Sequence, residues 1–390
     1  MSVQTDDAFI YFYRPDITEA EIEEVVHSLR SGWLTTGPKA RTLEAEFADF
    51  LGGDVEAVAV NSATAGLHLA LEAVGVGAGD EVITTTHTFT ATAEAICYLG
   101  ATPVFVDIDP ETVCIDPACV EAAITPRTRA IVPVHFGGLG CDMEALSRFA
   151  KRNGLAVVED AAHAFPTKLD GRLVGALDSE ASVFSFYANK TLAAGEGGML
   201  VTRNPEIARR ARLMRLHGID RDAFNRFSAT KPSWRYDILA VGYKYNLPDV
   251  AAALALVQLR RAWELLEKRR AVAERYDRAF ADLPLVRPPQ PEANGLHSWH
   301  LYNVRLATEA AVDRDRFIEL MSEAGIGCSV HYIPLHRHTY WSDKYSLTPE
   351  MFPHSDSVFR SCVSLPLYSS MTDSQVERVI VTVRKLLLKA

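Results

Sequence analysis

Basic residues are in the minority. Forty Lys and Arg stand against fifty Asp and Glu, a formal charge of −10, and a chain without a basic surplus lacks the electrostatic footprint of general nucleic-acid binding. No apolar run approaches the roughly 20 residues that a membrane-spanning helix needs. The opening Met1-Ser2-Val3-Gln4-Thr5-Asp6-Asp7 has neither a basic nor an apolar stretch, so no secretory signal peptide is expected. Cysteine is sparse as well. Cys97, Cys114, Cys119, Cys141, Cys328 and Cys362 are scattered with no Cys-x-x-Cys pair, which leaves free thiols in a reducing cytoplasm, and no metal, as the expectation. Internal repeats and low-complexity segments are absent too. What remains is an ordinary globular composition, 48% hydrophobic and 23% charged. A chain of 390 residues exceeds one small core. The expected division is a large domain with an N-terminal segment over residues 1–250, then a linking helix and a small domain over 251–390.

Between residues 55 and 202 short β-rich runs alternate with helical patterns. Strands are predicted at 55–60, 81–86, 102–108, 130–136, 156–160, 181–186 and 198–202, and helices at 64–74, 90–99, 117–124 and 143–153. Several strands are nearly unbroken apolar runs, as in strands buried on both faces. Strand–helix alternation predicts a mainly parallel sheet covered by helices, with ligands at the carboxyl ends of its strands. Residues 203–246 show no clear period and read as an extended loop region, a candidate for crossing to another subunit. A helical stretch at 247–283, as one helix or two, leads to a smaller α/β unit. There, strands are predicted at 299–306, 326–333 and 363–366, and helices at 313–324 and 372–388.

Four fragments at predicted strand ends carry chemistry. Lys190 follows the apolar run Phe184-Ser185-Phe186 and precedes Gly195-Glu196-Gly197-Gly198. A lysine in that place loses solvation, and its neutral, nucleophilic amine becomes accessible near neutral pH; the bland alternative is a snorkelling surface lysine. Ser62-Ala63-Thr64-Ala65 opens a helix whose free N–H groups favour an anion, or is a plain N-cap. Glu159-Asp160-Ala161-Ala162-His163 ends a buried strand on two acids, which need a cationic partner or local donors; His163 either orients Asp160, meets a ligand oxygen, or is a core histidine. Phe89 stacks on a flat ligand, or is simply core. Together an anion cradle, a stacking face, a carboxylate and an amine are what pyridoxal 5′-phosphate (PLP) requires.

With those fragments in hand, the chain resembles the DegT/DnrJ/EryC1/StrS family of nucleotide-sugar aminotransferases. Further matching runs are Arg14-Pro15, Trp33-Leu34-Thr35-Thr36-Gly37-Pro38, Gly242-Tyr243-Lys244-Tyr245-Asn246-Leu247 and His331-Tyr332-Ile333-Pro334-Leu335-His336. The resemblance implies an α/β, aspartate-aminotransferase-like (type I PLP) fold with a mainly parallel seven-stranded sheet and a smaller C-terminal α/β domain. It implies Lys190 as the Schiff-base lysine, Asp160 as partner of the pyridine nitrogen, and Phe89 against the ring. Ala63, Thr64 and Ser185 fall on the phosphate positions, and His163 joins Lys190 and Asp160 in the catalytic set. It also implies a homodimer whose partner reaches the phosphate with Lys244 or Asn246, where the commoner motif is Gly-Tyr-Asn-x-Arg. Arg14, Trp33, His331, Tyr332 and His336 are the sugar-side candidates, each with a structural alternative at the domain junction.

Lysine at 190, where similar sugar 3-dehydratases carry histidine, implies transamination. The substrate implied is a nucleotide-linked 4-keto sugar, with L-glutamate as amino donor. The motifs are most like those of the enzymes that make UDP-4-amino-4-deoxy-L-arabinose, which favours a 4-keto-pentose; a dTDP-4-keto-6-deoxyhexose is the alternative. A PLP-dependent dehydratase and a non-catalytic sensor of the same fold are the rival classes.

Overall fold

The computed structural model describes residues 9–220 and 236–388. Two helices that the periodicity did not reveal, α1 (Glu19–Ser31) and α2 (Pro38–Phe50), come first. The start of α2 is closed from afar. Asp249 is buried and its carboxylate accepts the backbone N–H groups of Gly37 (2.7 Å), Lys39 (3.0 Å) and Ala40 (3.0 Å), satisfying donors that a helix start leaves unpaired.

The large sheet follows: β1 (Glu56–Val60), α3 (Ala63–Ala73), β2 (Glu81–Thr85), α4 (Ala91–Tyr98), β3 (Thr102–Val106), α5 (Pro117–Ala123), β4 (Thr128–Ile131), α6 (Met143–Asn153) and β5 (Ala156–Asp160). A short hairpin of β6 (Lys168–Leu169) and β7 (Arg172–Leu173) precedes β8 (Ala181–Ser185) and β9 (Gly198–Thr202). The seven strands lie in the order β1-β9-β8-β5-β4-β2-β3. Six run one way; β9 is antiparallel to both its neighbours. The mainly parallel seven-stranded sheet is therefore as expected, with this one reversal.

Burial on both faces explains the unbroken apolar runs. Ala57 and Ala59 of β1 join one core cluster while Val58 and Val60 join another, and Phe184 and Val183 of β8 divide likewise. Successive side chains of a strand point to opposite faces, so both sets must be apolar when helices cover both. A further core lies under an antiparallel three-stranded sheet of β10 (Leu285–Val286), β11 (Tyr302–Leu306) and β12 (Cys362–Leu365), and holds Tyr276, Phe280, Tyr302, Phe317 and Val379.

Three expectations need correction, and one open alternative, the helical stretch after 246, is decided. The predicted strand 130–136 is β4, Thr128–Ile131, because Pro133 has no N–H to give the ladder. The region 203–246 is not wholly loop: α7 spans Pro205–Met214, capped by Asn204, with Ile207, Ala208, Ala211 and Met214 buried on one face. Its many arginines mask that spacing in a residue-by-residue reading. Residues 221–235 lie outside the described residues. The stretch 247–283 is two helices, Asp249–Arg260 and Ala262–Ala279. The predicted strand 326–333 makes only isolated bridges, Ile326 to Ile10 and Ser329 to Ser364, as its later residues turn toward the large sheet.

Candidate active site

The carboxyl ends of β1, β5 and β8 meet at one rim of the sheet. Gly198, the first residue of β9, pairs with both Val60 and Ser185, which draws the start of α3 and the end of β8 together. A Cβ at Gly198 would stand 2.7 Å from the Phe184 carbonyl oxygen and 2.9 Å from the Ala63 nitrogen. Glycine is required there by close backbone approach. Ser62 caps α3, its side chain accepting the Ala65 N–H at 3.1 Å. Ala63, Thr64 and Ser185 are half-buried around this junction, which presents helix N–H groups and hydroxyls suited to an anion.

Strand alternation separates the two acids at the end of β5. Glu159 is fully buried and bonds His135 (2.7 Å), Ser182 (2.7 Å) and Ser179. His135 Nδ1 accepts the Cys141 N–H at 3.0 Å, so its ring proton sits on Nε2 and is donated to Glu159. Burial alone would raise the Glu159 carboxyl, but these donors hold it below its ordinary value. This acid is structural. Asp160, 6% exposed, faces the rim and, among the described residues, accepts only the Thr92 hydroxyl at 2.7 Å and the Ala162 N–H at 3.1 Å. Desolvation raises its pKa despite these donors. No cation lies within ion-pair distance of it among the described residues. A nearly buried carboxylate supported by neutral donors alone is suited to a cationic ligand atom.

Lys190 stands on a tight turn after β8, its N–H bonded to the Tyr187 carbonyl at 2.9 Å. Burial pushes its amine down to about 8; Asp160 acts against that shift and Arg269 adds to it. Its Nζ lies 3.4 Å from His300 Nε2, and the His300 ring lies 4.2 Å from that of His163. His163 does not bond Asp160. Its Nδ1 accepts the Gly137 N–H (3.3 Å) and its Nε2 meets the Tyr332 hydroxyl (2.8 Å). Burial and then Lys190 hold His163 far below its ordinary pKa, so the neutral ring donates from Nε2 to Tyr332. That leaves the Tyr332 hydroxyl proton for another acceptor. Phe89 is 60% exposed, with its ring 6.3 Å from that of Tyr332; it is not core.

The sugar-side candidates separate. His331 bonds Ser364 through Nδ1 at 2.9 Å, beside Tyr332. Arg14 lines a small hollow that also includes Lys190. Trp33 lies over Gly37, its Nε1 donating to the Thr36 carbonyl at 3.2 Å. His336 is buried against Thr86, Asp356 and Phe352, making its contacts there and not to the Lys190 group. Asn246 donates to the Thr36 hydroxyl at 2.6 Å, whereas Lys244 is exposed. Sequence reasoning missed His300, Thr92 and Arg269. Thr92 lies three residues after Phe89 and was readable as a hydroxyl near a strand end; His300 and Arg269 come from distant segments with no local pattern.

This arrangement can hold a phosphorylated, flat, cationic ring and offer it a nucleophilic amine. Comparison with known proteins agrees. The model of the DegT/DnrJ/EryC1/StrS aminotransferase family matches residues 15–384. The spore coat polysaccharide biosynthesis protein SpsC of Bacillus subtilis is 47% identical over 384 residues, covering 98% of each chain. Among solved structures, Spr1654 of Streptococcus pneumoniae, named as a sugar aminotransferase and solved in its PMP form, has a TM-score of 0.90 at 35% identity, covering 97% of this chain and 98% of that one. DesI, solved in the presence of its TDP-sugar product, has a TM-score of 0.85 at 32% identity, covering 98% of this chain and 93% of that one.

Proposed function

The chain belongs to the DegT/DnrJ/EryC1/StrS aminotransferase family and uses pyridoxal 5′-phosphate; from that premise we propose that it transfers an amino group from L-glutamate to C4 of a nucleotide-linked 4-keto sugar. The observation that carries the reading is the pairing, at one sheet rim, of a desolvated lysine amine with a nearly buried carboxylate that has only neutral donors. In this proposal Ala63, Thr64 and Ser185 hold the cofactor phosphate, Phe89 covers its ring, Asp160 faces the ring nitrogen and Lys190 its aldehyde. The bound cofactor supplies an electron sink that lets a Cα–H bond of the donor break. Lys190 then holds that proton at Nζ and returns it, and its depressed pKa suits both directions at neutral pH. His300 keeps the amine oriented. Tyr332, oriented by His163, offers its free hydroxyl proton to the sugar side together with His331.

The reading includes a homodimer in the cytoplasm, with the segment around 242–246 completing the partner's site. Of its two candidates, Lys244 is the one proposed to reach across, because Asn246 is engaged by Thr36 within its own chain. Among the described residues no helix is long and apolar enough to cross a membrane. The 4-keto-pentose follows from the motif resemblance, and a dTDP-4-keto-6-deoxyhexose is the second reading, its nucleotide matching that of the TDP-sugar product of DesI. Discrimination would rest on space for one methyl-sized group, worth about 1–3 kcal/mol.

The test loads the enzyme with L-glutamate, removes the excess, and adds UDP-4-keto-pentose, dTDP-4-keto-pentose or dTDP-4-keto-6-deoxyglucose separately. Rapid return of the cofactor's original absorbance with one sugar, and an amino-sugar product, is expected. A normal glutamate reaction with no return from any of them would overturn the 4-keto sugar assignment; release of water or ammonia without an amino sugar would indicate a dehydratase instead.

A further inference from the structure

Three aromatic side chains meet on α3, a little beyond its start. His68 is 4% exposed and lies five residues after Ala63 on that helix. Its ring is 4.6 Å from that of Tyr243 and 5.9 Å from that of Tyr245, and its Nδ1 meets the Tyr245 hydroxyl at 3.2 Å. The two tyrosine rings stack on each other at 5.0 Å, 12° from parallel. Nothing in the proposed reaction uses this group.

Both tyrosines also have their main-chain groups bonded. Tyr243 donates to the Met214 carbonyl (2.7 Å) and accepts from His217 (2.8 Å); Tyr245 donates to the Arg215 carbonyl (2.8 Å) and accepts from Asn61 (2.7 Å). Asn61 Nδ2 donates to the Lys244 carbonyl at 3.2 Å. Gly242 allows the close approach at the start of this segment, since a Cβ there would stand 2.2 Å from the Gly218 nitrogen. Successive side chains of an extended segment point to opposite sides. With Tyr243 and Tyr245 turned onto His68, Lys244 between them points away, and it is exposed. Asn246 falls on the same side as Lys244 but is taken by Thr36. A lysine pays side-chain entropy to hold one contact, and a main chain already fixed beneath it removes the backbone share of that cost.

We propose that His68, Tyr243 and Tyr245 form a clamp that fixes the main chain of Lys244, so that its amine is delivered to the cofactor phosphate of the partner subunit. The proposal rests on the crossing role given to Lys244 above and deepens it. The three are positioning residues, acting through Lys244 and touching neither cofactor nor substrate. Helix α3 then serves two sites: its start faces the phosphate of its own chain, and His68 steadies the lysine sent to the other. Loss of the clamp in one subunit therefore loosens the cofactor in the opposite subunit.

The test uses mixed dimers carrying two different tags, one subunit wild type and the other His68→Leu, titrated with pyridoxal 5′-phosphate. Borohydride reduction then fixes bound cofactor on Lys190, and the mass of each subunit shows which one held it. The wild-type subunit is expected to need about tenfold more cofactor for half-filling. The His68→Leu subunit, served by the intact clamp of its partner, fills as in the wild-type dimer. Wild-type filling of both subunits overturns the proposal. So does loosening of the His68→Leu subunit to the same extent or more, which would mark damage to its own α3. Tyr245→Phe keeps the stack and removes the hydroxyl; it is expected to shift the same subunit by a smaller factor, and no shift from it overturns the proposal should His68→Leu fail to fold. Lys244→Ala in the same format separates the two readings. A shift in the opposite subunit from Lys244→Ala, with none from the clamp variants, keeps the crossing lysine and sinks the clamp; no shift from Lys244→Ala sinks the crossing role and the clamp with it.

Discussion

Lys190 offers the most direct check on the electrostatics of the site. Burial pushes its pKa to about 8 from the usual 10.5. At pH 7 such an amine is neutral in roughly one molecule in ten, against roughly one in three thousand for an ordinary lysine, a gain of about 300-fold in reactive amine. The apoprotein is mixed with pyridoxal 5′-phosphate from about pH 6 to about pH 10, and each rate is divided by that of N-acetyl-lysine methylamide under the same conditions; the range spans the lowered pKa and stays below that of free lysine. The ratio is expected to be largest at low pH and to fall above about pH 8, where the protein amine is already neutral while the free lysine still titrates. Asp160 favours the ammonium, so Asp160→Asn moves the midpoint downward. Lys190→Ala removes the phase altogether. A ratio that stays flat through pH 10, or an unchanged phase in Lys190→Ala, would refute the reasoning.

Three further outcomes are expected. In the loaded enzyme, Asp160→Asn lowers turnover by about 100-fold or more while the unfolding midpoint barely moves; steady-state kinetics beside denaturant titration would show this, and undiminished turnover would count against the role of Asp160. Gly198→Ala forces a Cβ to within 3 Å of the Phe184 carbonyl and the Ala63 nitrogen, so cofactor content after dialysis should drop; full retention would mean the junction yields easily. Asp249→Ala strips three backbone N–H groups at the start of α2 of their acceptor and is expected to cost about 2 kcal/mol or more, read from urea unfolding.

The local patterns carried a great deal. Apolar runs at 156–160, 181–186 and 198–202 determined strands buried on both faces, because side chains alternate across a sheet and both of its sides are covered. Asp160, at the end of one of those strands, and Lys190, after another, were readable as site candidates because strand ends in such sheets open onto loops. Small residues after Val60 marked a helix start with free N–H groups. Each of these signals is confined to a few neighbouring residues.

Other features depend on residues far apart in sequence, and only the tertiary structure decided them. Which of Glu159 and Asp160 faces the site was settled by His135, Ser179 and Ser182 gathering around the first and leaving the second with Thr92. His163, for which three roles stood open, bonds Gly137 and Tyr332 and not Asp160. The reversal of β9 follows from the turn that brings Gly198 against both Val60 and Ser185. Arg269, on a helix remote from every motif, lines the same hollow as Lys190, and His300, whose carbonyl it bonds, meets the Lys190 amine. Sequence determines what each segment can bury and expose by its period. Which buried groups end up sharing a charge or a proton is decided by packing between segments, and no local period encodes it.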